Sequence, residues 1–314
     1  MDVTIAICTW NRADLLRQTL ERLTQMACPS NRTWELLVVN NNCTDATDAV
    51  LESFRNRLPL RRIFEAQPGL SHARNAAIKE ARGTWIVYTD DDVLVEPGWV
   101  AALLKTAERF PQAAAVGGPI EPWFPTPPDP AIVAAFPMAA KGFCGLDHGP
   151  EEHVLTDVDE EIYGANMAFK MAAIGTLRFD ADFGPTPSSK VTGDESNFVR
   201  RVRSAGGQIV WSPMMRVKHY VDPARLTLSY LTRYYIDHAR TLVRLGTLPP
   251  AFMPAGPSLF GAPRWLWRST AARYLQYRLA RMRNAPDALV RLRECCFLFG
   301  LLLEQRAQHR RLAS

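Results

Sequence analysis

Three acidic residues in a row, Asp90-Asp91-Asp92, follow the apolar stretch Trp85–Tyr88. Carboxylates crowded on one turn repel each other, and a cation that neutralises them relieves the cost. Hard oxygen ligands of this kind suit Mg²⁺ or Mn²⁺, ions that readily share their coordination with substrate phosphates. His219 stands far downstream at the end of a predicted strand, where an imidazole could complete a Mn²⁺ shell. Asp194-Glu195 follows Gly193 and opens a predicted helix, whose dipole favours the ionised carboxylate. One of that pair could take the proton from an attacking hydroxyl. Arg74 lies in the first turns of a predicted helix after Gly69 and could meet a diphosphate with two parallel hydrogen bonds. Asp45 could accept hydrogen bonds from a base or sugar edge, or simply cap its helix. Each residue alone also has a plain reading: a solvated acidic loop, a helix cap, an interfacial histidine, a surface ion pair.

The elements around them bring these residues together. Val3–Cys8 and Glu35–Val39 are continuous β-branched and apolar runs, the pattern of strands buried on both faces. Ala13–Thr24 carries Leu15, Leu16, Leu20 and Leu23 at helical spacing. Helices over 46–57 and 71–81, a short strand over 61–65 and a strand at Trp85–Tyr88 continue the alternation. Strand and helix in turn, with short links, predict right-handed crossovers and a parallel sheet covered on both faces. In such sheets ligands bind at the carboxyl ends of the strands. The polar clusters 9–12, 40–45 and 90–92 all occupy those ends. Past Pro97 the pattern loosens: Gly117–Pro137 is rich in proline and aromatics, Tyr163–Lys170 reads as a loop entering a strand, and strands follow at Gln208–Trp211 and Met215–Tyr220.

The order of these motifs resembles glycosyltransferase family 2, inverting enzymes of the GT-A fold. The matching pieces are TIAICTWNR at 4–12, VVNNNCTDAT at 38–47, GLSHARNAAI at 69–78, YTDDDV at 88–93, GANMAFK at 164–170, GDESNFVRRVRSAG at 193–206 and VKHY at 217–220. The resemblance implies an α/β fold with a Rossmann-like, mostly parallel central sheet flanked by helices, and a helical C-terminal extension beyond it. It divides the chain into a catalytic domain over 1–222, with a nucleotide-sugar half to about 118 and an acceptor half over 119–222, and an Arg-rich extension over 223–314. By position it implies that Thr9 and Arg12 lie at the nucleotide and that Asp45 receives the base, typically uracil. Arg74 would contact the nucleotide or its phosphates, with Asp90 at the ribose and Asp91 beside it. Asp92 would hold the metal, Mn²⁺ or Mg²⁺, with His219 approaching from the other side. Asn166 would lie at donor sugar or acceptor, and Glu195 would be the catalytic base with Asp194 adjacent. The pair here reads Asp then Glu where Glu then Asp is common, which leaves open which of the two is the base.

The formal net charge is +5, yet the segment from Gly261 to Ser314 holds eleven Arg, no Lys and three acidic residues, a surplus of +8, so the body carries −3. A basic tail on an acidic body suggests an anionic partner, and it argues against nucleic-acid binding by the body. Three uses of the C-terminal helices are open: peripheral contact with the inner face of a cell membrane, a helical hairpin packed on the catalytic domain, and a homodimer interface. Six cysteines, Cys144 among them, form no CxxC pair, so a reducing, cytoplasmic setting is expected. The first strand begins almost at Met1, so no leader segment is expected. The expected activity is transfer of a sugar from a nucleotide diphosphate donor, with UDP the expected nucleotide, to a glycan, lipid-linked or other hydroxyl acceptor. Two rivals are a nucleotidyltransferase and a non-catalytic nucleotide-sugar-binding protein. The first would need a Gly-rich phosphate loop after the first strand, and residues 9–12 are not Gly-rich.

Overall fold

The computed structural model describes residues 1–140, 145–157, 160–184, 193–252 and 256–313, and Cys144 lies outside them. The chain divides into two compact units, one of the described residues of 1–123 and 144–220, the other of those of 124–143 and 221–314.

In the first unit the strands are β1 (Val3–Thr9), β2 (Trp34–Asn40), β3 (Leu60–Phe64), β4 (Trp85–Asp90), β5 (Val93–Val95), β6 (Ala113–Gly117), β7 (Ile120–Trp123), β8 (His153–Val154), β9 (Met167–Lys170), β10 (Gln208–Trp211) and β11 (Val217–Tyr220). Its helices, numbered along the whole chain, are α1 (Ala13–Leu23), α2 (Thr47–Phe54), α3 (Leu70–Glu80), α4 (Trp99–Arg109), α7 (Met171–Ile174) and α8 (Asp194–Ser204). The main sheet has the order β3-β2-β1-β4-β9-β6-β10-β8. All its neighbours run parallel except where β9 sits between β4 and β6 and where β8 edges β10. A smaller sheet, β5-β11-β7, takes over where β4 ends.

Alternation along the strands builds two cores. Val3, Ile5 and Ile7 of β1, Leu36 and Val38 of β2 and Val87 of β4 pack on one side with Leu16, Leu20 and Leu23 of α1 and Trp99, Val100 and Leu103 of α4. Ala6, Leu37, Val39, Ile86 and Tyr88 face the other way, against Ala73 and Ala77 of α3 and Phe198, Val199 and Val202 of α8. Each fully buried large aliphatic contributes about 1.5–3 kcal/mol by leaving water, so the two layers fix which face every strand residue takes. Register then sets the functional edge: Thr9 pairs with Asn40 and Cys8 with Asp90, so the ends of β1, β2 and β4 are level.

The structure departs from the sequence expectation past Pro97. The chain there is regular, with α4 and β6 both well formed. The apolar residues Trp99, Val100, Leu103 and Leu104 have helical spacing, and the alanine-rich run of β6 is a strand because it is buried throughout, despite alanine's weak strand preference.

The second unit contains α5 (Pro130–Ala135), α6 (Pro137–Ala140), α9 (Leu228–Leu245), α10 (Arg264–Met282), α11 (Ala288–Ala313) and a small hairpin of β12 (Ser258–Leu259) and β13 (Ala262–Pro263). Residues 124–137 of the proline-rich segment belong to this unit. Ala135, Phe136 and Ala139 bury their apolar surface against Leu231, Tyr235 and Cys296, and Arg293 donates to the Ala135 carbonyl at 3.0 Å. Inside the helical layer Glu304 is fully buried and accepts from Arg240 and Arg244. No described helix is long and apolar enough to cross a membrane.

Candidate active site

Asp90 closes β4, and the chain turns through Asp91 and Asp92 before resuming as β5 in the smaller sheet. The acidic triplet thus occupies the junction of the two sheets. Its backbone is pinned from both sides: the Thr19 hydroxyl donates to the Asp91 carbonyl at 2.9 Å and the Tyr220 amide to the Asp92 carbonyl at 2.9 Å. Pairing of β11 with β5 sets His219 opposite Val93. As a result ligand atoms of Asp90, Asp92 and His219 all lie within 4.8 Å of one another. Asp90, expected at a ribose, therefore joins the two residues expected to hold a metal.

The donor set fits a divalent cation. Asp92 Oδ1 and His219 Nδ1 are buried without a hydrogen-bond partner, and His219 Nε2 stands 3.4 Å from Asp92 Oδ1. Buried acceptors without donors are costly, and two carboxylates with an imidazole are ligands that Mn²⁺ or Mg²⁺ accepts.

Arg12, from the turn after β1, forks between neighbouring carboxylates, 2.8 Å from Asp91 Oδ1 and 2.8 Å from Asp92 Oδ2. The Thr9 hydroxyl donates to Asp91 Oδ2 at 2.7 Å. Burial pushes the Asp91 carboxyl up to about 7, with Asp92 and Asp90 adding to the rise and Arg12 and Thr9 opposing it. Thr9 and Asp91 are both buried and hydrogen-bond to each other. Asn166 is fully buried as well; it accepts from Trp99 Nε1 at 2.8 Å and donates to the carbonyls of Pro119 and Met215. It ties the Trp99 side chain to two segments of backbone.

A second polar centre lies beside the first. Arg74, on α3, is 1% exposed although it carries a full charge. Its guanidinium pairs with Asp194, with Glu195 at 2.8 Å and, more distantly, with Asp90 at 3.9 Å. The Phe179 ring lies 5.4 Å from its Cζ, and the Tyr88 hydroxyl donates to the Arg74 carbonyl at 2.8 Å. Asp194 and Glu195 form the first turn of α8, entered through Gly193 in the left-handed region at φ 107°. Asp194 is buried, whereas the Glu195 side chain is 26% exposed. Burial, helped by Asp194 and Asp90, pushes the Glu195 carboxyl up to about 7 against the pull of Arg74. Gly164 closes over this pair, and a Cβ there would collide with the Arg74 guanidinium and the Glu195 carboxylate.

Arg74→Met strips the counter-charge from a buried Asp194 and a half-buried Glu195. Loss of one partner of a buried pair costs about 3–5 kcal/mol, so chemical denaturation should show a stability loss of that order, and an unchanged midpoint would contradict the buried pairing.

Asp45 lies beside the turn that carries Arg12. It is exposed, and its carboxylate accepts from the Ala13 amide at 2.9 Å and from the amide and hydroxyl of Thr47. It thereby ties the start of α1 to the start of α2. Asn11 adds a link, its Oδ1 accepting from the Thr44 amide at 2.7 Å. Sequence reasoning missed Trp99, Tyr88, Thr19 and Phe179, which act through packing and backbone contacts that carry no motif; Gly164 was legible only as a turn. Cys8 is no nucleophile, since burial pushes its thiol up to about 12, and the described cysteines are all free.

Comparison with known proteins joins this geometry to a family. The sequence pattern of "Glycosyl transferase family 2" matches residues 4–123, the stretch that supplies Arg12, Arg74 and the acidic triplet. Over this segment the chain carries the pattern of glycosyltransferase family 2. Relatives extend the match further along the chain. The succinoglycan biosynthesis protein ExoM of Rhizobium meliloti is 28% identical over 254 residues, 78% of this chain and 75% of the relative. The glucosyl-dolichyl phosphate glucuronosyltransferase of Haloferax volcanii is 25% identical over 241 residues, 74% of this chain and 73% of its own. Among solved structures, the mannosyltransferase PcManGT of Pyrobaculum calidifontis, in complex with GDP-Man and Mn²⁺, aligns with a TM-score of 0.53 at 20% identity over 92% of this chain and 85% of that one. TarS of S. aureus in complex with UDP aligns at 0.56 and 14% identity, over 99% and 92%. At these identities the two structures speak to the fold alone, the GT-A architecture this family 2 glycosyltransferase shares.

Proposed function

We propose that this family 2 glycosyltransferase inverts a sugar's anomeric centre on transfer from a metal-bound nucleotide diphosphate sugar, a UDP-sugar in the reading we favour, in the synthesis of a cell-surface polysaccharide or glycoconjugate. The observation that carries this reading is the pair of adjoining centres: a group able to hold a cation at Asp90, Asp92 and His219 and, across Arg74, the partly exposed side chain of Glu195. A divalent ion held by the first set supplies positive charge for the leaving diphosphate. Exposure favours Glu195 over Asp194 as the base, because Asp194 is closed in by Arg74. The acceptor O–H proton passes to the Glu195 carboxylate as the acceptor oxygen forms its bond to the anomeric carbon. The bond from that carbon to the phosphate oxygen breaks, and its electron pair leaves with the nucleotide diphosphate. A single displacement of this kind inverts configuration. A carboxyl with pKa near 7 suits the task, since about half of it is ionised at neutral pH and that form is still basic. The polysaccharide setting is supported by the relative that takes part in succinoglycan biosynthesis.

The direct test is a thermal-shift screen of nucleotide sugars with Mn²⁺ or Mg²⁺, followed by donor hydrolysis assays. A UDP-sugar should raise the melting temperature only with metal present, and saturation at 100 times Kd corresponds to about 2.7 kcal/mol. Equal stabilisation by a donor of another base would refute the uridine preference, and stabilisation independent of metal would refute the cation set.

A further inference from the structure

The C-terminal unit carries cationic chemistry for which sugar transfer has no use. A cavity of about 370 Å³ is lined by Ser258, Phe260 and Gly261 of the β12–β13 hairpin and by Arg306, His309 and Arg310 of α11. The three basic residues sit three and four positions apart and so share one helix face. No carboxylate lines the cavity among the described residues. The Arg306 guanidinium lies over the Trp267 ring, 5.3 Å from its centroid, and its Nε is buried with no hydrogen-bond partner. A buried donor without an acceptor is unfavourable, and like charges on adjacent turns repel, so this corner favours an anion. Gly261, at φ +81°, lets the hairpin approach closely, since an added Cβ would stand 2.6 Å from His309 Cδ2.

What adjoins the cavity is apolar. Phe260 is 75% exposed and Leu259 41% at the hairpin tip, with Phe260 edge-on to Trp267. Helix α10 leads away from this hairpin. Its residues Arg264, Arg268, Leu275, Arg278, Leu279 and Met282 fall on one face by helical spacing and are all exposed. Leu266, Tyr277 and Ala280 are buried on the opposite face. The helix has no acidic residue, so in a two-fold contact with itself the outward arginines would meet arginines. An anionic lipid surface complements both the charge and the exposed apolar side chains.

We propose that the Arg306–His309–Arg310 cavity binds a phosphate group carried on a lipid, with the hairpin tip against the hydrocarbon and the outward face of α10 on the surrounding anionic surface. The phosphate could belong to a phospholipid headgroup or to a polyprenyl phosphate; the chemistry recognised is the same.

The test is flotation of the full chain with three kinds of vesicle: phosphatidylcholine alone, the same doped with phosphatidylglycerol, and the same doped with a polyprenyl phosphate. Flotation with either doped vesicle and not with phosphatidylcholine alone is expected, and the preferred dopant names the lipid. Each arginine removed should weaken binding about fivefold. Arg310→Glu combined with Phe260→Ser changes exposed positions only and should release the protein, while its donor-induced thermal shift is retained, which separates this site from the transfer chemistry. Absence of flotation, or undiminished flotation of the double variant, overturns the proposal. So does binding of inorganic phosphate that depends on Arg310 while flotation does not.

Discussion

Glu195→Gln will lower the transfer rate by about 10²–10⁴-fold, the usual contribution of a positioned general base, and will leave donor affinity almost unchanged. Glutamine keeps the shape and can still face Arg74, so the fold around α8 survives while basicity is lost. The pH profile supplies an independent reading. Glu195 must be ionised to accept a proton, and burial with Asp194 and Asp90 nearby lifts its carboxyl to about 7. As pH falls through that value the protonated, inactive form accumulates, so kcat/KM should drop about tenfold per pH unit on the acid side. The acid limb should vanish in the glutamine variant. A fully active Glu195→Gln enzyme, or a variant retaining the acid limb, would remove Glu195 from the role. The same two measurements on Asp194→Asn test the neighbour, which Arg74 encloses and which should act chiefly through stability.

Asp92→Ala should instead abolish metal-dependent donor binding. Asp92 offers a buried oxygen with no hydrogen-bond partner, beside His219 and within reach of Asp90. Loss of even an outer-shell partner of a metal ligand costs about 10–100-fold in affinity, and loss of a ligand should be no smaller. Titration calorimetry with and without Mn²⁺ reads this directly, and equal donor affinity of variant and parent in the presence of metal would contradict the assignment. Arg12 complicates the variant in a predictable way. It loses one of its two carboxylates and keeps Asp91, so the turn after β1 should stay anchored and the protein folded.

Much of this was legible in the sequence because parallel sheets announce themselves. Continuous apolar runs such as Val3–Cys8 can be satisfied only by burial on both faces, and short links then force the polar clusters to one edge. That reasoning located residues 9–12, 40–45 and 90–92 before any coordinates. It could not foresee which atoms point outward. Thr9 and Asp91 sit in the motif yet hydrogen-bond to each other, and Asn166 spends its amide on Trp99 and two carbonyls. Motif position specifies a backbone location, whereas orientation depends on partners that pack from distant segments. The proximity of Arg74 to Asp194 and Glu195 spans about 120 positions, a distance over which spacing carries no information. Helix α4 was missed because its prolines and glycine lie at its borders and read as a loss of order, when they mark where it begins and ends.

Strand β9 has a consequence for how the molecule is made. It fills the gap between β4 and β6, antiparallel to both, yet it is synthesised some fifty residues after the second of them. Until Met167–Lys170 leaves the ribosome, both neighbours present bare hydrogen-bonding edges, the feature that invites pairing with other chains. The segment 4–123 that carries the family signature therefore lacks the strand that fills the gap between its own β4 and β6.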